Sequence, residues 1–141
     1  MYSSILVPID LAHESSWVDA IPEAMSMARA GQASLMVLTV VRQMSMMFEA
    51  RYLNFQVEEA LTDARNRLQQ VVAGYADDSL PIEAEVGFGS IGPQIVATAG
   101  NHAVDLIVMT AHRPEMRDYL IGPNAAYVVR HAQCSVLVLR K

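Results

Sequence analysis

The chain has 141 residues, of which 52% are apolar, and a formal net charge of -5. This length and apolar content predict one folded domain with a full core and exclude a disordered chain. An acidic balance without clustered Lys and Arg argues against a nucleic-acid partner, and no apolar run approaches the length of a membrane span. The chain opens without a signal-peptide pattern, so we expect a soluble cytoplasmic protein that binds no membrane.

The first predicted strand is Ser4–Ile9, an apolar run that is typical of a strand buried on both faces. Asp10 follows at its carboxyl end, where ligands bind in open parallel sheets, and is therefore a candidate ribose or metal contact. The alternative is that Asp10 only caps the following turn. Ser15 and Ser16 are the candidate N-caps of a helix predicted over 17–30.

A second strand is predicted over 34–41 and an amphipathic helix over 58–75. Between them, residues 42–50 contain three methionines and one phenylalanine. In one interpretation these adaptable apolar side chains cover a ligand or contact a partner. In the other they are buried against the sheet, as most apolar side chains are.

The third predicted strand, 81–86, precedes a segment, 87–92, that matches G-x-G-x-x-G, and a helix over 93–100 follows. The dinucleotide-binding form of this motif needs an acidic residue at the end of the next strand, and that strand ends at 109–111 without a carboxylate. An NAD-type enzyme is therefore the weaker hypothesis. A tight strand-to-helix turn with Ser90 as its cap is the better interpretation.

The fourth predicted strand, 106–109, runs into a loop that carries His112 and Arg113. A Gly-Pro-Asn turn over 122–124 then leads into the last predicted helix, with Asn124 as its N-cap. Free backbone N–H groups, the positive end of the helix dipole and the guanidinium together predict an anion site, most naturally for phosphate. The alternative is an ordinary surface loop between a strand and a helix.

The last predicted helix, 125–131, is followed by the strand Ser135–Leu139, which is apolar in all positions after its first. If this strand lies at an edge of the sheet, a second copy of the chain is its simplest cover, which predicts a homodimer through it. The single cysteine, Cys134, is predicted to be a small buried residue and not a reactive thiol. The four histidines lack metal-ligand spacing, so we predict no metal site of the protein's own.

Predicted strands and helices alternate along the whole chain. This alternation predicts a single α/β domain with a five-stranded open parallel sheet, helices on both faces and right-handed crossovers. In such a sheet Asp10, Val40 and the 112–124 loop meet at the carboxyl edge of the strands.

Three segments resemble the universal stress protein family, and together they extend the resemblance over the whole chain. They are ILVPID at 5–10, LTVV at 38–41 and DLIVMTAHRPEMRDYLIGPNAAYVVRHAQCSVLVLR at 105–140. The last segment is most similar to the small enterobacterial-type members. The resemblance implies a Rossmann-like, adenine nucleotide alpha hydrolase-like fold and a stress-response or signalling module that acts as a dimer. It implies no strong catalytic activity, at most slow ATP hydrolysis.

The resemblance also implies a ligand, ATP or AMP, with any Mg²⁺ arriving on the phosphates. Nucleotide-binding members use a G-x2-G-x9-G-S/T pattern. In them an Asp after the first strand holds the ribose, the second strand contacts adenine through its backbone, and the glycine loop holds the phosphates. The residues of this chain at those positions are Pro8, Ile9, Asp10, Val40, Met109, Thr110, His112, Arg113, Gly122, Pro123, Asn124 and Ala125.

The chain departs from this pattern at the phosphate end. Thr110 and Arg113 stand at the first two glycines, and the spacer from Arg113 to Gly122 is one residue short. Pro123 replaces the Ser or Thr and has neither a hydroxyl nor an N–H, a loss of about 1–3 kcal/mol or roughly ten- to hundredfold in affinity. We therefore predict ATP or AMP binding with a weakened phosphate grip. The alternative is a stress-response dimer that binds no nucleotide and works through protein partners.

Overall fold

The computed structural model of the chain describes residues 1–42, 50–111 and 122–140, and residues 50–55 by their backbone alone. Strands and helices alternate through these residues, as predicted. The strands are β1 (Ser4–Ile9), β2 (Ser34–Arg42), β3 (Ile82–Gly89), β4 (Leu106–Thr110) and β5 (Ser135–Leu139). The helices are α1 (Ala20–Gly31), α2 (Ala50–Ala73), α3 (Ile91–Asn101) and α4 (Pro123–His131).

The five strands form one parallel sheet in the order β3-β2-β1-β4-β5. The chain moves outward from β1 through β2 to β3, and then returns to the other side of β1 to place β4 and β5. The order therefore reverses between β1 and β4, and a crevice opens at such a reversal, outside the carboxyl ends of the two strands. The predicted fold class, an open five-stranded α/β sheet, is confirmed.

The sheet is buried on both faces, because successive side chains of its central strands enter two different cores. Ile5, Val7 and Ile9 pack with the apolar faces of α1 and α2. Leu6 and Leu38 point to the opposite face and pack with α3 and α4. This accounts for the continuous apolar runs of the central strands, since neither face of these strands is exposed to water.

The beginnings of the first two helices differ from the prediction. α1 begins at Ala20 and not at 17, with Asp19 at its N-cap position. Ser16 is not the cap of this helix: it lies in a short 3₁₀ turn, where its hydroxyl is hydrogen-bonded within the loop that follows β1. α2 begins at Ala50, well before the predicted 58. The Met-rich part of the 42–50 segment lies outside the described residues.

The strand before the glycine-rich segment ends later than predicted, at Gly89 instead of 86. β3 continues to Gly89, so Gly87 and Gly89 belong to the strand. Gly89 has φ 132°, a conformation that favours glycine. Ser90 occupies the N-cap position of α3, as predicted, but its side chain makes no capping hydrogen bond.

α4 begins two residues earlier than predicted, at Pro123 and not at 125. Gly122 is the N-cap residue and Pro123 is the first helical residue, so Asn124 lies inside the helix and is not its cap. Pro is favoured at this first position because its missing N–H has no intrahelical acceptor there. His131 ends the helix, as predicted, with its ring 4.1 Å from that of Tyr127.

β5 forms one edge of the sheet and β3 the other. Cys134, just before β5, is half-buried against the α3–α4 core instead of fully buried, and burial raises the pKa of its thiol.

Among the described helices, none combines the length and the apolar character that a membrane crossing requires.

Candidate functional site

A cavity of about 210 Å³ lies at the reversal point between β1 and β4. We call it the central cavity. Most of the predicted site residues meet in its wall: Pro8, Ile9, Asp10, Val40, Met109, Thr110, Gly122, Asn124 and Ala125. Pro123 is not part of this wall, and His112 and Arg113 lie outside the described residues. Residues more than a hundred positions apart in sequence converge here because parallel strands end at one edge of the sheet.

Asp10 lies at the mouth of the central cavity with its side chain about half exposed. One carboxylate oxygen, Oδ1, accepts a hydrogen bond from the backbone N–H of Ala12 at 2.9 Å. The other, Oδ2, lies 4.0 Å from Nε2 of His13. Asp10 therefore caps the following turn with one oxygen and keeps the other available, so the two interpretations of this residue are compatible.

Ser16 holds the backbone of Asp10 in place. Its Oγ accepts a hydrogen bond from the N–H of Asp10 at 2.8 Å and lies 2.8 Å from the carbonyl oxygen of His13, to which it can donate. Sequence reasoning considered Ser16 only as a helix cap. The signal for its actual role is its place in the short loop directly after a buried strand, at the carboxyl edge of the sheet.

The strand ends behind the cavity carry two threonines with different environments. Thr39 of β2 is buried, and its hydroxyl donates to the carbonyl oxygen of Ile9 at 3.1 Å, which ties the end of β2 to the end of β1. Thr110, the last residue of β4, lines the central cavity, and its buried Oγ1 has no hydrogen-bond partner among the described residues. A buried hydroxyl without a partner costs about 1–3 kcal/mol. A polar ligand in the cavity could recover that cost.

The amino end of α4 forms the far wall of the central cavity. The first intrahelical hydrogen bond runs from the N–H of Ala126 to the carbonyl oxygen of Gly122. The N–H groups of Asn124 and Ala125 are therefore orphan donors of the helix end, at its positive pole. Pro123 offers no third donor.

A second concavity of about 240 Å³ adjoins the central cavity. It lies between the end of β2 and the first turns of α3 and α4, and we call it the helix cleft. Arg42, Ile91 and Asn124 line both concavities, and Pro123 lines the cleft alone. Sequence reasoning missed Arg42 and Ile91, although the position of Arg42 at the carboxyl end of a predicted strand was a usable signal.

Neither the histidines nor the acids form a metal centre within the described residues, because no group of three or more His, Cys, Asp or Glu side chains comes together there. His13 lines the central cavity, whereas His102 lies 3.9 Å from Glu85 and away from it. A divalent cation in the central cavity would therefore need a ligand's own phosphates as well as Asp10.

The glycine-rich segment has structural reasons for its glycines. A Cβ on Gly92 would lie 2.8 Å from Cδ1 of Tyr127, so α3 and α4 can approach closely only with glycine at this position. Gly89 is needed for its positive φ at the end of the strand. The segment also follows an edge strand and not a strand at the reversal point, which removes the context of a dinucleotide fingerprint.

Comparisons with known proteins agree on one family. The model of the family described as "Universal stress protein family" matches residues 1–140. The chain is 31% identical to Universal stress protein G of Shigella flexneri, over 99% of this chain and 100% of that protein. It is 32% identical to Universal stress protein G of Salmonella typhimurium, with the same coverage.

Solved structures of the family share the fold. Universal stress protein UspA from Lactobacillus plantarum has a TM-score of 0.70 at 29% identity, covering 99% of this chain and 98% of that one. A universal stress protein in complex with cAMP has a TM-score of 0.62 at 23% identity (99% and 97%). A family protein from Arabidopsis thaliana with AMP bound has a TM-score of 0.67 at 15% identity (99% and 92%). The chain therefore belongs to the universal stress protein family.

Proposed function

We propose that this universal stress protein binds an adenine nucleotide, AMP or ATP, in the central cavity and acts as a dimeric stress-response module. The observation that carries the proposal is the convergence of three strand ends and a helix amino end on one cavity at the reversal point of the sheet. Structural neighbours in complex with cAMP and with AMP support this class of ligand.

In this proposal each wall of the cavity contacts a different part of the nucleotide. Asp10 accepts hydrogen bonds from the ribose hydroxyls through its available carboxylate oxygen, and the backbone around Val40 contacts the adenine. The Asn124 and Ala125 N–H groups donate to phosphate at the positive end of α4. Thr110 contributes its buried hydroxyl as a further polar contact. Mg²⁺, where present, arrives with the phosphates.

We assign no catalytic residue. The described cavity wall contains neither a serine, threonine or cysteine hydrogen-bonded to a general base nor a phosphate-binding P-loop sequence. Any ATP hydrolysis in this proposal is slow and incidental to binding.

The dimer in this proposal forms through β5. Its residues Val136, Val138, Leu137 and Leu139 are only partly buried, at an edge strand whose outer backbone groups face away from the sheet. Pairing with the same strand of a second copy would cover both the backbone edge and these side chains.

A nucleotide-independent dimer is the second candidate, and Pro123 is the observation that favours it. Proline at the first position of α4 removes one N–H from the helix end that would hold phosphate. In this alternative the central cavity is structural, and the protein acts through protein partners.

One experiment separates the two candidates. The purified protein is denatured, and any released small molecule is identified by mass spectrometry; the refolded or ligand-free protein is then titrated calorimetrically with AMP, ATP and ATP plus Mg²⁺. Co-purified adenine nucleotide near one per chain, or saturable binding at one site, supports the proposal. An empty protein that also gives no heat and no thermal shift with these nucleotides excludes it and leaves the nucleotide-independent dimer.

A further inference from the structure

The central cavity and the helix cleft are two parts of one concave surface. Their walls share Arg42, Ile91 and Asn124. Neither volume alone, about 210 Å³ and about 240 Å³, reaches the roughly 300–1,000 Å³ of typical ligand sites, whereas the two together do. A ligand that extends from Asp10 past Asn124 would occupy both.

Arg42 stands where the two parts meet. It is the last residue of β2, two positions after Val40, and it is an exposed residue that lines both concavities. Within the described wall of the central cavity, Asp10 is the one carboxylate and Arg42 the one guanidinium. Without Arg42, this described wall would offer a nucleotide phosphate a negative charge and no permanently positive one.

The helix cleft has the polarity that suits phosphate. The first turn of α3 presents the orphan N–H groups of Ile91 and Gly92, since its first intrahelical bond runs from the N–H of Gln94 to the carbonyl oxygen of Ser90. Both helix ends, however, contain proline early in the first turn and so lack some donors. A guanidinium supplies two parallel N–H donors and a full charge, which is the contact that these weakened helix ends lack.

We propose that Arg42 is the residue by which this site distinguishes adenine nucleotides according to their number of phosphates. In this proposal Arg42 directs the phosphate chain of a bound nucleotide from the central cavity into the helix cleft between α3 and α4. The inference rests on the proposed nucleotide binding and adds its phosphate selectivity. It assigns the role of main phosphate cation to a residue on β2, and not to Arg113, which lies outside the described residues. Affinity then rises with phosphate number, from adenosine through AMP and ADP to ATP.

The first test measures this order in two arginine variants. Wild type, Arg42→Gln and Arg65→Gln are titrated calorimetrically with adenosine, AMP, ADP and ATP at low salt. Arg65 is an exposed arginine of α2 that lines neither concavity, and it serves as the matched control. We expect Arg42→Gln to leave adenosine affinity unchanged and to weaken ATP roughly ten- to a hundredfold, with AMP between them. Arg42→Lys should recover part of the loss, because it restores the charge without the paired donors.

A second variant tests the direction of the phosphate chain. Ser90→Asp places a carboxylate at the N-cap of α3, inside the cleft and outside the central cavity, and aspartate is as good an N-cap as serine. We expect weaker ATP binding, unchanged adenosine binding and unchanged thermal stability. Ser26→Asp, on the exposed face of α1, should change none of the three.

The outcomes distinguish this inference from the proposed function. Wild-type protein that binds none of the four ligands overturns nucleotide binding itself. Wild-type protein that binds them, with Arg42→Gln either equal to wild type throughout or weaker for adenosine and ATP by the same factor, overturns the role of Arg42 alone. ATP binding that is unaffected by Ser90→Asp but weakened by Arg42→Gln overturns the path into the cleft.

Discussion

Thr110 gives a test at the scale of one atom. Its buried Oγ1 lacks a partner among the described residues, which is unfavourable for folding and favourable for binding a polar ligand. We expect Thr110→Val, which replaces the hydroxyl by a methyl group of similar size, to leave the free energy of unfolding unchanged or to raise it. The same variant should weaken nucleotide binding roughly three- to tenfold. Urea unfolding and calorimetric titration measure the two quantities; a loss of stability without a loss of affinity would contradict the assignment.

Gly92 tests the close approach of two helices. An alanine Cβ at this position would lie 2.8 Å from the ring of Tyr127, so Gly92→Ala should destabilise the protein by about 1–3 kcal/mol, reduced somewhat by the better helix propensity of alanine. Gly100 of the same helix has no heavy atom near its would-be Cβ, so Gly100→Ala is the matched control and should stabilise by about 0.5–1 kcal/mol. Equal effects of the two substitutions in urea unfolding would refute the packing role of Gly92.

Residues of the site differ in how well a sequence predicts them. Asp10 was predictable because it directly follows an apolar strand, and the carboxyl end of a strand is where ligand contacts lie. Ser16 was misassigned because Ser before a helix usually indicates a cap, and only the folded loop places its hydroxyl 2.8 Å from the N–H of Asp10. The prediction of Asn124 as an N-cap was also wrong, since the helix begins at Pro123, two residues before the predicted 125.

Asp105 joins two elements, because its carboxylate links the start of β1 to the start of β4. It accepts hydrogen bonds from the N–H groups of Ser3 and Ser4, each at 2.9 Å, and from the hydroxyl of Ser3 at 3.0 Å. The backbone N–H of Ser3, followed by that of Ser4, holds the pKa of Asp105 below its usual range, although partial desolvation opposes them. These bonds fix the first residues of β1 beside β4, the pair of strands that borders the central cavity.

The lowered pKa predicts how this contribution depends on pH. A carboxyl group with a lowered folded-state pKa stabilises the fold fully above its unfolded-state pKa, about 4, and loses that effect as pH falls through the folded-state value. Asp105→Asn should therefore be less stable than wild type at pH 7, with the difference shrinking below about pH 4. Urea unfolding of both proteins at pH 7 and below about pH 4 measures this difference in the free energy of unfolding. Asp78→Asn, in the exposed turn before β3, is the control, and an equal loss in that variant would contradict the role of Asp105.

The type and order of the strands and helices were predictable from the sequence, but their first and last residues were less so. The central strand β1 and the edge strand β5 have the predicted bounds because their apolar runs stop at polar residues. The long extension of α2 to Ala50 and of β3 to Gly89 was missed, since sequence patterns mark the middle of an element better than its termini. Tertiary packing decides how far the backbone continues.

At the scale of the whole molecule, the edge position of β5 leads to a prediction about assembly. Light scattering after size exclusion should give twice the chain mass for wild type, and Leu137→Arg should shift the protein towards monomer, because a buried charge at the proposed interface is costly. Val18→Arg is the control: Val18 is 44% exposed, lies in the loop before α1, and should tolerate the charge. Circular dichroism of Leu137→Arg checks that the monomer is folded. A folded variant that stays dimeric would place the interface elsewhere.

The sequence by itself determined the fold class and the strand-helix order, because apolar periodicity and turn residues are local signals. It indicated the family through the resemblance of the segments 5–10, 38–41 and 105–140. It also indicated Asp10, Val40 and the residues before α4 as candidates for one site. Only the tertiary structure decided the strand order β3-β2-β1-β4-β5, and with it the reversal point at which these residues meet. The same strand order brings Arg42 beside the first turns of α3 and α4. These residues are far apart in sequence and become neighbours only at the carboxyl ends of the strands in the folded sheet.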